Sequence, residues 1–141
     1  MPDPIRIYIV EDHPVMRDTL VEYLGMDDDL EICGTAADAE KALAGLEEAD
    51  PSVILLDLSL PGTSGLDLLA EIRERWEVPC VILSGHKEQN HLRRAFQRGA
   101  RGYLLKGHPD EIRVAIHRVL EGRVYLAEVL REQMKAEESG I

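Results

Sequence analysis

The chain has 141 residues, which is enough for one domain with a buried core but too short for two. Its 27 acidic side chains outnumber its 16 basic ones, and the formal net charge of -11 excludes electrostatic binding of nucleic acid or an anionic membrane by this segment. The N-terminus lacks the basic and apolar regions of a signal peptide, and no apolar run is long enough to span a membrane. Cys33 and Cys80 form no C-x-x-C pair. We therefore expect a cytoplasmic protein with buried free thiols.

Five short apolar runs are typical of buried strands, and a segment with helical periodicity follows each of them. The predicted strands cover residues 5–10, 30–34, 52–56, 78–83 and 102–105. The predicted helices begin at or near Pro14, Asp38, Ser64, Lys87 and Pro109. This alternation favours right-handed crossovers and one parallel sheet with helices on both faces. Residues 123–141 form a tail in which Leu126, Val129, Leu130 and Met134 would mark the apolar side of a further helix.

Polar side chains follow four of the five predicted strands, at the edge where the carboxyl ends of parallel strands meet. Glu11 and Asp12 follow the first strand, Asp57 the third, Ser84 the fourth and Lys106 the fifth. Two carboxylates about 5 Å apart repel by roughly 3 kcal/mol at an effective dielectric near 20, and one Lys cannot neutralise three of them. The set therefore predicts a site for a hard divalent cation, Mg²⁺ or Mn²⁺, with room for a phosphoryl group.

Asp57 is the best candidate for a nucleophile in this set. Carboxylates attack phosphorus to form an aspartyl phosphate, and that transfer depends mainly on positioning and charge neutralisation. Asp57 stands alone at the end of the central apolar run, whereas Glu11 and Asp12 are adjacent and are typical of a pair that holds a metal. A lone Asp at a strand end is more often a turn residue, so the argument depends on the whole set.

The same residues and their neighbours closely resemble the receiver domain of two-component response regulators, over residues 5 to about 121. The resemblance rests on Glu11-Asp12, on Asp57 with Ser59, Pro61 and Gly65, on Ser84 with Gly85, and on Tyr103 three residues before Lys106. It implies a single (βα)5 flavodoxin-like fold, a doubly wound parallel sheet with strand order 2-1-3-4-5. The receiver domain would then occupy residues 1–122, with residues 123–141 as a C-terminal tail or linker.

The resemblance also implies a chemistry for the acidic residues. Asp57 would accept a phosphoryl group from a sensor histidine kinase, so that the chain is a signalling phosphoacceptor rather than an enzyme. Mg²⁺ or Mn²⁺ would be held by Asp12, Asp57 and the backbone carbonyl of Ser59, with Glu11 acting through a water molecule. No other cofactor is implied.

A conformational switch is implied by the same resemblance. Lys106 would pair with the phosphoryl group, Ser84 would hydrogen-bond to it, and Tyr103 would change rotamer. The added charge and acceptors would then alter the surface formed by the fourth helix, the fifth strand and the fifth helix.

Three motifs, E-D-H-P, D-L-S-L-P-G-x-S-G and G-x-x-Y-L-L-K, are most similar to the NarL/LuxR-type transcriptional regulators. This similarity implies control of transcription through a DNA-binding helix-turn-helix domain beyond residue 141, since the segment itself should bind no nucleic acid. The alternative is a stand-alone receiver that acts through protein–protein contacts. A homodimer is compatible with both.

Other interpretations remain open to experiment. A phosphatase of the haloacid-dehalogenase kind would carry a second acid two residues after the nucleophile, where Ser59 stands. A flavin-binding module would place its phosphate loop where Glu11 and Asp12 would repel a phosphate. A receiver that regulates by binding alone would not need the complete set of polar residues. The histidines at positions 13, 91, 108 and 117 lack metal-ligand spacing, which predicts surface or capping roles.

Overall fold

The computed structural model describes residues 3–60, 64–85 and 89–139, and strands alternate with helices throughout these ranges. The strands are β1 Ile5–Val10, β2 Leu30–Ala36, β3 Val53–Asp57, β4 Cys80–Ser84, β5 Gly102–Leu105 and β6 Tyr125–Leu126. The helices are α1 Pro14–Gly25, α2 Ala39–Ala49, α3 Gly65–Arg75, α4 Gln89–Gln97, α5 Asp110–Leu120 and α6 Glu128–Ser139.

The strands form one parallel sheet in the order β2-β1-β3-β4-β5-β6. The predicted doubly wound fold and its 2-1-3-4-5 order are therefore confirmed, with β6 added at the β5 edge. All residues of β3, β4 and β5 are buried, as expected for parallel strands with helices on both faces. The strand order reverses between β1 and β3, and ligands of such sheets bind in the crevice outside the carboxyl ends at that reversal.

The core consists mainly of aliphatic side chains from the central strands and from the inner faces of the helices. Leu55 of β3 and Leu69 and Ile72 of α3 are fully buried, which anchors the helix beneath the segment that carries Asp57. The fourth helix packs through Leu92 and Ala95. Asp57 is thus attached to the most deeply buried strand, which limits its movement.

The sixth strand lies within the tail and was missed by the sequence prediction. Tyr125 pairs with Gly102, and the Ala127 amide donates to the Tyr103 carbonyl at 2.9 Å. The predicted helix begins at Glu128, so Leu126 belongs to the strand and not to the helix. A two-residue strand is too short to show a period of two, which is why periodicity did not reveal it.

Both cysteines are free thiols, as expected. Cys80 is buried in β4, and burial raises the pKa of its thiol to about 12, whereas Cys33 is half-buried. Among the helices of the described ranges, none is both long enough and apolar enough to cross a membrane.

Candidate functional site

The carboxyl ends of four strands bring the predicted site residues to one edge of the sheet. Glu11 directly follows β1, Asp57 is the last residue of β3, Ser84 is the last residue of β4, and Lys106 directly follows β5. Parallel register places Asp57 opposite Leu83 and Ser84 opposite Leu105. The predicted convergence follows from this register.

One ammonium group lies between two buried carboxylates. Lys106 Nζ is 3.1 Å from Asp57 Oδ2 and 3.3 Å from Glu11 Oε1. Both carboxylate residues are 1% exposed. The other Asp57 oxygen, Oδ1, accepts a hydrogen bond from the Ser59 amide at 3.0 Å. Asp57 is therefore held by a charge on one side and by a backbone donor on the other.

The two buried carboxyl groups, Glu11 and Asp57, have pKa values that are shifted in opposite directions. Burial, together with hydrogen bonding to Asp57 and the charge of Asp57, raises the pKa of Glu11 to about 7. Burial by itself would raise the pKa of Asp57, but hydrogen bonds from Glu11, the Ser59 amide and Lys106 outweigh it, and the pKa of Asp57 is lowered. The Lys106 ammonium loses hydration on burial, yet the carboxylates of Asp57 and Glu11 raise its pKa. Asp57 is accordingly an ionised carboxylate at neutral pH.

The acidic cluster has the donor atoms that a hard divalent cation requires. Glu11, Asp12, His13 and Asp57 each offer one ligand atom, and these four atoms lie within 4.8 Å of one another. The buried oxygens Glu11 Oε1 and Asp57 Oδ2 share the one Lys106 ammonium, and His13 Nδ1 lies 3.4 Å from the buried Asp12 Oδ1. The single charge of Lys106 compensates only part of the negative charge. Carboxylate oxygens are the ligands that Mg²⁺ and Mn²⁺ prefer, so these residues fit such an ion.

The turn after β3 passes close to α3. Ser64 caps α3 by accepting a hydrogen bond from the Asp67 amide at 3.1 Å, and the Gly65 amide donates to the Leu58 carbonyl at 3.2 Å. A Cβ atom at Gly65 would lie 2.5 Å from Leu58 Cα, so only Gly allows this approach. The backbone at Leu58, next to Asp57, is thereby held against the start of α3. Pro61, which was predicted to lie in this turn, is outside the described residues.

Gly107 follows Lys106 and has a φ of 102°, a left-handed conformation that Gly adopts readily. The ring of Pro, which holds φ near -65°, cannot reach it. The chain therefore leaves β5 through a turn that favours Gly at position 107.

The remaining predicted residues lie as follows. Ser84 and Tyr103 are buried, and the Ser84 carbonyl accepts a hydrogen bond from the Lys106 amide at 2.9 Å. Ser59 is exposed. Its observed contact with the site is made by the backbone amide, and the role proposed for its carbonyl stays a prediction. The switch roles of Ser84 and Tyr103 are likewise predictions.

His13 lies closer to the acidic cluster than the sequence analysis anticipated. Its Nδ1 atom is 3.4 Å from Asp12 Oδ1 and 3.7 Å from Glu11 Oε2, and its amide donates to Glu11 Oε2 at 3.3 Å. The side chain is 68% exposed, which agrees with the predicted surface position. Adjacency to Glu11 and Asp12 was the signal in the sequence that could have included it.

Comparison with known proteins gives a consistent result. The profile of the response regulator receiver domain family matches residues 7–117. The nitrate/nitrite response regulator protein NarL of Escherichia coli (strain K12) is 33% identical over 136 residues, covering 95% of this chain and 63% of that protein. The oxygen regulatory protein NreC of Staphylococcus haemolyticus (strain JCSC1435) is 35% identical over 125 residues, covering 86% of this chain and 58% of that protein. The chain thus spans less than two thirds of the length of these relatives.

Solved structures show the same relationship. A two-component response regulator of the LuxR family from Aurantimonas sp. SI85-9A1 superposes with a TM-score of 0.89 at 28% identity, over 97% of this chain and 99% of that chain. The signal receiver domain of the response regulator NarL from Mycobacterium tuberculosis superposes with a TM-score of 0.80 at 31% identity, over 86% of this chain and 100% of that chain. With the family profile matching most of its length, the chain belongs to the response regulator receiver domain family and is most similar to the NarL/LuxR type.

Proposed function

We propose that this receiver accepts a phosphoryl group on Asp57 from a sensor histidine kinase, in a reaction that requires a divalent cation. The observation that carries the proposal is the buried Asp57 carboxylate with Lys106 Nζ 3.1 Å from one of its oxygens, an arrangement that lowers the pKa of Asp57. A carboxylate that stays ionised at neutral pH has an electron pair available for attack on phosphorus. The neighbouring Lys106 ammonium can then stabilise the negative charge that develops on the transferred group.

The transfer exchanges one bond to phosphorus for another. A carboxylate oxygen of Asp57 attacks the phosphorus of a phosphohistidine, the P–O bond forms, and the P–N bond breaks. The imidazole departs with the electron pair of that bond and takes up a proton. Lys106 offsets the added negative charge, and the Ser59 amide keeps the Asp57 carboxylate oriented through its 3.0 Å hydrogen bond.

A cation in this cluster would be held by Asp12 and Asp57, by the Ser59 carbonyl, and by Glu11 through a water molecule. When bound, Mg²⁺ or Mn²⁺ supplies positive charge to the phosphoryl oxygens. The partly uncompensated carboxylates of the site support this assignment. In cation binding, the chain's own residues keep Asp57 ionised and orient its oxygens.

The proposed switch involves Ser84 and Tyr103, in the roles that the receiver resemblance implies for them. Ser84 ends the strand beside β3, so its hydroxyl would hydrogen-bond to a phosphoryl group on Asp57. Movement of Ser84 would leave space toward β5, where Tyr103 changes rotamer and alters the surface made by α4, β5 and α5. Pairing of β5 with both β4 and β6 would carry this change toward the C-terminal segment.

The output is proposed to be transcriptional, through a DNA-binding domain joined to residues 123–141, with the receiver itself at 1–122. Support comes from the similarity to NarL/LuxR-type regulators. A stand-alone receiver that acts by protein–protein contact, alone or as a homodimer, is the alternative. The coding sequence after Ile141 distinguishes the two, because only the first requires a helix-turn-helix domain there.

Incubation with acetyl phosphate, a small phosphoryl donor, tests the proposal without knowledge of the kinase. We expect the intact mass to increase by one phosphoryl group when Mg²⁺ is present, and no increase when it is replaced by excess chelator. Asp57→Asn should abolish the increase, whereas Asp67→Asn, an exposed change in the first turn of α3, should not. Full phosphorylation of Asp57→Asn, or its absence from a folded wild-type protein, would contradict the proposal.

A further inference from the structure

We infer that His13 adds an imidazole nitrogen to the cation site of Asp12 and Asp57 beside Glu11, and that this mixed nitrogen and oxygen site binds borderline divalent ions such as Ni²⁺, Co²⁺ or Zn²⁺ more tightly than Mg²⁺. The inference rests on the cation site of the proposed function, but it does not require phosphoryl transfer. It concerns His13, which lies beside the acidic cluster and has no role in the proposed phosphoryl transfer.

The distances fit the coordination sphere of such an ion. An ion with bonds of about 2.1 Å places adjacent ligands about 3.0 Å apart and opposite ligands about 4.2 Å apart. The four ligand atoms of this cluster lie within 4.8 Å of one another, and His13 Nδ1 is 3.4 Å from Asp12 Oδ1. A shift of a few tenths of an ångström would therefore bring His13 Nδ1 and Asp12 Oδ1 to the spacing of adjacent ligands on one ion.

The position of His13 suits that adjustment. Its side chain is 68% exposed, yet its Nδ1 atom already lies 3.4 Å from Asp12 Oδ1. The His13 backbone is attached to the cluster as well, because its amide donates to Glu11 Oε2 at 3.3 Å. The buried carboxylates of Glu11 and Asp57 share the single charge of Lys106, so negative charge remains for a cation to compensate.

The type of ligand decides the type of ion. An imidazole nitrogen adds little to the binding of Mg²⁺, which strongly prefers oxygen, but it favours Co²⁺, Ni²⁺ and Zn²⁺. Any site with nitrogen and oxygen ligands binds Ni²⁺ more tightly than Mg²⁺, so tight Ni²⁺ binding alone would not show that His13 is a ligand. The contribution of His13 must be measured as the change in this preference when the imidazole is removed.

Calorimetric titration of the metal-stripped chain with Mg²⁺ and with Ni²⁺ tests the inference. We expect His13→Gln to weaken Ni²⁺ binding by about tenfold or more and to change Mg²⁺ binding by less than about twofold. His117→Gln, which removes an exposed imidazole on α5, is the matched control and should change neither. Asp12→Asn should weaken the binding of both ions.

NMR of the imidazole nitrogens provides a second measurement, with Zn²⁺ as the diamagnetic probe. Zn²⁺ should shift the ring signals of His13 at lower concentration than those of His117. An unchanged ratio of Ni²⁺ to Mg²⁺ affinity in His13→Gln, or Ni²⁺ binding that survives Asp12→Asn, would overturn the inference. If Mg²⁺ binds and His13→Gln has no effect, only this inference fails. If the folded wild-type chain binds no divalent ion, the proposed cation site fails as well.

Discussion

Lys106 supplies the positive charge that the structure places against Asp57 and Glu11. Lys106→Met removes this charge and leaves the two buried carboxyl groups without a positive partner. The unfolding free energy should therefore fall by about 1–3 kcal/mol in the absence of metal. The same change should tighten Mg²⁺ binding severalfold, because the ammonium no longer repels the ion. Urea unfolding and calorimetric titration measure the two effects.

The matched control for this change is Lys135→Met, which removes an exposed Lys from α6. It should alter stability by no more than about 0.5 kcal/mol and leave Mg²⁺ binding unchanged. Equal effects of the two substitutions on both measurements would show that Lys106 does not compensate the buried carboxylates.

Gly65 is a second residue on which the geometry of the site depends. In Gly65→Ala the new methyl group would lie 2.5 Å from Leu58 Cα and 2.7 Å from the Leu58 carbonyl oxygen, so the backbone beside Asp57 must move. We expect a loss of about 1–3 kcal/mol in unfolding free energy, together with slower modification by acetyl phosphate. Gly25→Ala has no atom within 4 Å of the new methyl group and should be neutral or slightly stabilising. Similar results for the two variants would contradict the close approach.

At the scale of elements, the β6 and α6 segment is attached to α5 through one carboxylate. Glu111 Oε2 accepts hydrogen bonds from the Tyr125 hydroxyl at 2.8 Å and from the Glu128 amide at 3.1 Å. Ala127 and Leu130 are buried beside this contact. The C-terminal segment therefore packs against α5 and β5.

Glu111→Ala should release both hydrogen bonds and loosen this attachment. We expect faster hydrogen exchange at the Ala127 amide and along α6, and unchanged exchange in β1, β3 and β4, because those strands make no contact through Glu111. Tyr125→Phe removes only one of the two bonds and should give a smaller effect. A uniform increase in exchange over the whole chain would instead indicate global destabilisation and would contradict a local role.

Elements with strong patterns could be predicted from sequence, and those set by tertiary contacts could not. The apolar run that ends at Asp57 was sufficient to identify β3, since a buried strand needs little else. The strand order came from family resemblance, because periodicity carries no information on neighbours. Strand β6 depends on hydrogen bonds to β5, and the attachment of Glu111 to Tyr125 joins residues 14 positions apart, so neither leaves a local signal.

At the scale of the whole molecule, the site exists because four separate strands end at one edge of the sheet. Sequence spacing was sufficient to place Asp57, Glu11 and Lys106 together, since parallel strands align their carboxyl ends. Sequence adjacency to Glu11 and Asp12 could have placed His13 near the site, but the contact of its side chain with Asp12 depends on the turn before α1 and was not predictable. The net charge of -11 makes local compensation by Lys106 or a cation more necessary.

The central claim is that Asp57 alone carries the phosphoryl group. Borohydride reduction tests it directly, because it converts an aspartyl phosphate to homoserine and leaves free carboxylates unchanged. After treatment with acetyl phosphate and Mg²⁺, followed by reduction, peptide mass spectrometry should find homoserine at position 57 and aspartate at positions 12 and 67. Homoserine at another position, or none in protein whose intact mass shows one added phosphoryl group, would contradict the account.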